Sequence, residues 1–175
     1  IGTLEEYDEG ELICFSEHNP FRNEKESELL RRYKIAYLFQ NFALVDNMTV
    51  QENLSLAVKY SKCTDKKSII KKALMDMGIE DKLKSKIFEL SGGEQQRVAL
   101  ARNMVKPYEI MLADEPTGSL DSENKKIVID TLVKLNKLGK TIIVVSHDKE
   151  FEKIARKNYI IEHGTLKQIN LVGEK

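Results

Sequence analysis

Apolar and polar positions alternate along this chain with two different periods, and the switch between them outlines the elements. Glu11 to Phe15 (ELICF) reads as a short strand that follows the turn signal Asp8-Glu9-Gly10. Glu24 to Tyr33 is charged, with Leu29, Leu30 and Tyr33 as its apolar contacts, and reads as a helix. Ile35 to Phe39 (IAYLF) is an apolar run of strand length, with Gln40 at its end. Apolar residues then recur at helical spacing: Val50, Leu54 and Val58 within Thr49 to Tyr60, and Ile69, Ile70, Ala73, Leu74 and Met77 within Ser68 to Met77. Gly78 is placed to end that second helix.

The second half alternates strand and helix. Ser91 to Lys106 and Glu123 to Leu138 read as helices, the latter stopped by Gly139. Ile110 to Ala113 and Thr141 to Ser146 (TIIVVS) read as buried apolar strands. A short helix from Asp148 to Lys157 and a hairpin of Tyr159–Ile161 with Leu166–Ile169, turning at His163-Gly164, complete the series. Continuous apolar strands joined by helices predict an α/β fold with a mostly parallel sheet covered by helices on both faces. The stretch from about Val45 to Glu89 is all helix and is expected to form its own lobe.

Charge and composition narrow the function classes. The 175 residues carry 28 Lys+Arg and 28 Asp+Glu, a formal net charge of zero, which offers no reason to expect a nucleic-acid partner. At 41% hydrophobic and 32% charged the composition is that of an ordinary globular domain. The Lys-rich stretch from Lys59 to Lys86 reads as a solvated helical face. No apolar run approaches the length of a membrane-spanning helix. Cys14 and Cys63 match neither a disulfide framework nor a zinc spacing, and a reducing, cytosolic setting is expected. The chain opens on Ile1 rather than Met, without a basic-then-apolar leader pattern, so a processed or trimmed chain is expected.

Ligands of parallel sheets bind beyond the carboxyl ends of the strands. Here one strand leads into Asp114-Glu115-Pro116 and another into Ser146-His147-Asp148. A third element, Leu90-Ser91-Gly92-Gly93-Glu94-Gln95-Gln96-Arg97, pairs a capping box of Ser91 and Glu94 with two glycines at a helix start. Such a start offers unpaired N–H groups, and the glycines let a phosphate approach the backbone.

In these residues the chain resembles the nucleotide-binding domains of ABC (ATP-binding cassette) transporters, over essentially its whole length. LSGGEQQR at 90–97 resembles the signature motif, IMLADE at 110–115 the Walker B strand, and Gly118-Ser119-Leu120-Asp121 the D-loop. Gln40 matches the Q-loop glutamine and His147 the switch histidine, all in the family's order. The resemblance implies a P-loop NTPase-like core that binds ATP and Mg²⁺. It implies three parts: 1–44 as core up to the Q-loop, 45–106 as helical subdomain with signature, and 107–175 as core with Walker B, D-loop and switch histidine. Asp114 is expected to hold Mg²⁺ through water, with Gln40 reaching the metal and γ-phosphate. Glu115 is expected to orient and deprotonate the attacking water, which His147 holds in line. Ser91, Gly92, Gly93 and Glu94 are expected to contact the nucleotide of a second nucleotide-binding subunit in a head-to-tail dimer, with Asp121 signalling across it. A transmembrane permease is the expected further partner, placing the cassette in the cytoplasm on the inner face of the membrane.

Asp114 to Asp121, Tyr37 to Phe42 and Asn47 to Asn53 are similar to the ATPases of lipoprotein-release, macrolide-export and bacteriocin-export systems. Non-transport cassettes fit less well. Chromosome-type heads need a long coiled coil where only Asn41 to Glu89 stands, and translation-type cassettes come in tandem with Asn-His at the place of Gly118-Ser119. A non-catalytic, signature-donating partner is the third reading, opposed by the presence of both Glu115 and His147.

One family motif, G-x-x-x-x-G-K-[ST], is not found in residues 1–175. Gly139-Lys140-Thr141 is preceded five positions earlier by Lys134 and leads into a strand, so it reads as a helix stop. Ile1-Gly2-Thr3-Leu4 resembles the segment just after the phosphate-loop helix, and a cassette cut at that point is expected. Residues 1–175 by themselves are therefore expected to bind Mg-ATP poorly and not to turn it over, and their sheet to leave apolar surface open. Calorimetric titration with Mg-ATP checks the first point: no detectable heat is expected, and tight stoichiometric binding would contradict it.

Overall fold

The computed structural model describes residues 2–19, 23–118 and 120–169. The chain divides into two compact units, one running to Val145 and one from Ser146 onward. The first unit holds strands β1 (Ile13–Cys14), β2 (Glu17–His18), β3 (Ile35–Leu38), β4 (Ile110–Asp114) and β5 (Thr141–Val145). Its helices are α1 (Glu24–Tyr33), α2 (Val50–Val58), α3 (Lys66–Asp76), α4 (Gly92–Val105) and α5 (Ser122–Lys137). The second unit holds α6 (Lys149–Ile154) and an antiparallel hairpin of β6 (Asn158–Glu162) and β7 (Thr165–Ile169), turning at His163-Gly164.

Strands β3, β4 and β5 form a parallel sheet in that order, with Ile35 beside Ile110 and Ile110 beside Thr141. Because side chains alternate, Ala36, Leu38, Met111 and Ala113 share one face, and all four are buried. On the other face Ile35 packs with Cys14 and Leu30, while Tyr37 and Leu112 are only partly buried beside them. Coverage thins toward β5, whose residues are all half-buried or exposed, with Val145 62% exposed. The expectation of a strand buried throughout therefore fails for Thr141–Val145. The apolar run is there, but among the described strands β5 has a neighbour on one side only.

The helices begin and end where their local chemistry dictates. Asn23, Thr49, Asp65, Ser91 and Asp121 each place a side-chain oxygen on the first free N–H groups of the helix that follows. Gly78 and Gly139 take the left-handed φ values of +63° and +88° that close α3 and α5. At both ends the next two N–H groups return to the last turn: Gly78 to Met75 and Ile79 to Leu74, then Gly139 to Asn136 and Lys140 to Leu135. This confirms Gly139-Lys140-Thr141 as a helix stop. The ELICF segment differs from expectation. Only Ile13 and Cys14 are strand, because Phe15 and Ser16 both turn at positive φ to pair them with Glu17 and His18.

Helix α4 is the centre of the first unit. Val98, Ala99, Leu100 and Ala101 are fully buried, and the helix packs on α2, α3, α5 and β3. Its C-terminal end is tied to the sheet by Asn103, whose Nδ2 donates to the Tyr37 carbonyl at 2.9 Å. The Lys106 ammonium donates to the carbonyls of Arg31 and Ile35 at 2.7 and 2.6 Å.

Burial, helped by the nearby Arg102 charge, brings the Lys106 ammonium down to about 8. An unfolded lysine titrates near 10.4, so between about pH 8 and 10.4 the unfolded chain holds a proton that the folded chain lacks. Stability from this group is therefore lowest below pH 8 and rises across that window. Lys106→Met is expected to remove the rise, which denaturant unfolding of both proteins at about pH 7.5 and about pH 10 would check. An equal rise in the variant would contradict the assignment.

Candidate functional site

The carboxyl ends of β3 and β4 emerge side by side in the first unit, as the parallel register requires. Beyond them lies a cleft of about 580 Å³ lined by Gln40, Phe42, Gly92, Asp114, Gly118 and Leu120, among others. Asp114 is the last residue of β4 and is exposed toward solvent. Gly92 opens α4, so the free N–H groups of that helix start meet the same opening as the Asp114 carboxylate and the Gln40 amide.

Glu115 stands on a strained turn. Its φ is +42°, a left-handed value that costs a non-glycine residue about 1–3 kcal/mol. The surroundings hold it there. Its N–H donates to the Val145 carbonyl at 2.9 Å, and its carbonyl accepts from the Gly118 N–H at 3.0 Å. A Cβ at Gly118 would stand 3.3 Å from the Glu115 carbonyl oxygen and 3.7 Å from Gln40 Nε2, so a larger residue there would have to push the turn open by a few tenths of an ångström. From α4, Gln96 Nε2 donates to the Pro116 carbonyl at 2.6 Å.

The start of α4 carries the expected capping box. Ser91 N–H and Oγ each donate to Glu94 Oε2 at 2.8 Å, and Lys82 Nζ lies 3.3 Å from Glu94 Oε1. The Ser91 hydrogen bonds, then Lys82, hold the Glu94 carboxyl below its ordinary range. The two glycines differ. A Cβ on Gly92 would meet nothing, whereas one on Gly93 would fall 2.4 Å from Asn124 Nδ2. Asn124 is itself fixed: its N–H and Nδ2 donate to the two Asp121 oxygens at 2.8 Å, and Arg97 Nη1 donates to its Oδ1. The Asn124 contacts hold the Asp121 carboxyl low. Gly93 and Asp121, far apart in sequence, thus meet through one amide. Ser119 lies outside the described residues.

Past Gln40 the chain turns at Phe42 and Ala43, both at positive φ, and Arg102 of α4 donates to both of their carbonyls. Asn53 pins the far side of this loop, accepting from Val45 N–H at 2.8 Å and donating to Val45 O. His147 belongs to the second unit. It is exposed there, next to Asp148, whose side chain accepts from the Glu150 N–H to cap α6.

The structure thus gathers Gln40, Gly92 and Asp114 around one cleft and Gly93 with Asp121 around Asn124. Gln96, Arg102, Asn124 and Lys82 were missed from sequence. Only Gln96 left a trace, as a polar side chain on the stripe that Val98, Ala99 and Leu100 bury.

Among the described residues no three His, Cys, Asp or Glu side chains converge to hold a metal unaided. The oxygen donors of Asp114 and Gln40 at the cleft nevertheless suit Mg²⁺, which takes one or two protein ligands and completes its shell with water and phosphate. No helix among the described residues is long and apolar enough to cross a membrane.

Comparison with known proteins bears on the same segments. The family model described as ABC transporter matches residues 1–118. The macrolide export ATP-binding/permease protein MacB of Campylobacter jejuni is 40% identical over 169 residues, which is 95% of this chain and 26% of that protein. The lipoprotein-releasing system ATP-binding protein LolD of Aquifex aeolicus is 37% identical over 168 residues, 94% of this chain and 74% of that one. A methionine import ATP-binding protein of Ligilactobacillus salivarius is 39% identical over 159 residues, 88% of this chain and 44% of that one. The chain thus spans about a quarter of the macrolide-export relative and most of the lipoprotein-releasing one. A solved dimeric ATP-binding cassette in a post-hydrolysis state with ADP and Pi superposes with a TM-score of 0.86 at 30% identity, covering 97% of this chain and 78% of that one. With two thirds of its length matched by the family and its sheet and helices those of a solved cassette, the chain belongs to the ABC transporter ATP-binding family.

Proposed function

We propose that this chain is the ATP-binding and ATP-hydrolysing part of an exporter. The observation that carries this reading is the meeting of Gln40, Asp114 and Gly118 at one cleft beyond the ends of parallel strands, with Glu115 on a strained turn beside it. Phosphoryl transfer to water asks the protein for charge neutralisation and a placed nucleophile. Asp114 and Gln40 are the residues that hold Mg²⁺, which when bound neutralises charge on the phosphate oxygens. Glu115 takes a proton from the attacking water and holds its oxygen toward the γ-phosphate. His147 donates a hydrogen bond to the γ-phosphate.

The first turn of α4 serves a different nucleotide. Ser91, Gly92 and Gly93 face the nucleotide of a second subunit in a head-to-tail dimer, with Glu94 holding the cap, and Asp121 reads the state of that interface. The solved relative is dimeric, which supports this arrangement. Residues 1–44 and 107–175 form the catalytic core in this reading, and 45–106 the helical part that meets a transmembrane permease at the inner face of the membrane. The macrolide-export and lipoprotein-releasing names of two relatives support export, beside a methionine-import relative of similar identity. The likeness of the Tyr37–Phe42 and Asn47–Asn53 segments to bacteriocin-export ATPases supports an exporter of that type.

Glu115→Gln in the full-length protein tests the assignment. Hydrolysis is expected to fall by about 100-fold or more, while Mg-ATP still drives dimerisation. Hydrolysis within a few-fold of the original rate would contradict the role of Glu115.

A further inference from the structure

The helix that carries the signature and the turn that carries Glu115 are joined by one buried side chain. Gln96 is 2% exposed, and its Nε2 donates to the Pro116 carbonyl at 2.6 Å. Its Oε1 is buried, with no hydrogen-bond partner among the described residues. The amide cannot be turned round, because that would set Oε1 against the Pro116 carbonyl oxygen. A buried amide with half of its polarity unused destabilises a fold relative to an apolar side chain of the same length. The part that the structure uses is the donor.

That donor acts on the Pro116–Thr117 peptide unit, inside the turn that runs from Glu115 to Gly118. The unit before Glu115 is pinned by its N–H to Val145, and the Glu115 carbonyl by the Gly118 N–H. With the Pro116 carbonyl also held, Glu115 keeps its φ of +42°. Without that bond the Pro116–Thr117 peptide can turn, the Gly118 N–H is drawn off the Glu115 carbonyl, and the strained Glu115 turn opens and moves the carboxylate.

We propose that Gln96 is a positioning residue that holds the Glu115 carboxylate in place and couples it to the seat of the signature helix. The inference rests on the reading of Glu115 as the group that activates water. In that reading the start of α4 touches one nucleotide and Glu115 serves another. Gln96, one turn into α4, then links two composite sites through a single hydrogen bond. No covalent step is added: Gln96 donates the same hydrogen bond before and after the reaction.

The test uses Gln96→Met and Glu115→Gln in the full-length protein, assayed for steady-state hydrolysis, Mg-ATP-driven dimerisation and thermal unfolding. Gln96→Met keeps the side-chain volume, removes the donor and removes the unpaired oxygen, so it is expected to melt no lower than the original protein. Its kcat is expected to fall about 10- to 100-fold, with KM for Mg-ATP within about two-fold. In the Glu115→Gln background the same change is expected to add no further loss of hydrolysis and to leave dimerisation unaltered, because its effect passes through Glu115. An unchanged kcat, or a fall in kcat matched by a rise in KM, would overturn the proposal. If Glu115→Gln itself hydrolyses normally, the functional reading fails first, and the two failures are thereby told apart. Should Gln96→Met melt early, Gln96→Leu supplies the same comparison with a different packing shape.

Discussion

Helix α4 has to bury one face against α2, α3 and β3 while sending polar side chains to every loop of the site. Along its length and just beyond it, Gln96 reaches the Pro116 carbonyl, Arg97 reaches Asn124, Arg102 reaches the carbonyls of Phe42 and Ala43, and Asn103 and Lys106 reach β3. These are directional bonds made in poorly solvated places, where an unmade one is costly. The geometry of the Gln40 loop, the Glu115 turn and the Asp121 cap therefore follows from where this one helix sits. Its apolar face fixes that position, because Val98 to Ala101 are buried without exception.

Strain is placed where it can be held. Glu115, Phe42 and Ala43 all take positive φ without being glycine, and each lies beside a carbonyl that α4 grips. Burial leaves its mark on the Arg102 guanidinium that grips two of these carbonyls, and on the Lys106 ammonium that ties the end of α4 to the carbonyls of Arg31 and Ile35: both are held below their ordinary pKa. The fold accepts that cost, and in return the turns keep conformations that an unsupported chain would leave. Gly93 adds a steric condition, since any Cβ there would displace the Asn124 amide that fixes Asp121.

Local chemistry was legible in the sequence and long-range chemistry was not. Helix spans, the Ser91–Glu94 box, the Gly78 and Gly139 stops and the β6–β7 hairpin depend on neighbours within a few residues, so their patterns show in the chain itself. The motif residues Gln40, Gly92 and Asp114 were readable by resemblance, and the structure draws them to one cleft. Gln96, Asn124 and Arg102 find partners 20 to 60 residues away, and nothing next to them announces it. The Phe15–Ser16 turn was missed because neither residue is of a type that favours positive φ. Thr141–Val145 read as buried because an apolar run reports what a strand can tolerate, whereas coverage depends on which elements lie over it.

The central claim is that α4 and the Glu115 turn behave as one body. Native-state hydrogen exchange on the full-length protein tests it most directly. The amides of Glu115 and Gly118, bonded to Val145 and Glu115, are expected to exchange in the same slow class as Ala99 to Ala101 inside α4. Exchange of the Glu115 and Gly118 amides orders of magnitude faster, while α4 stays protected, would contradict the account.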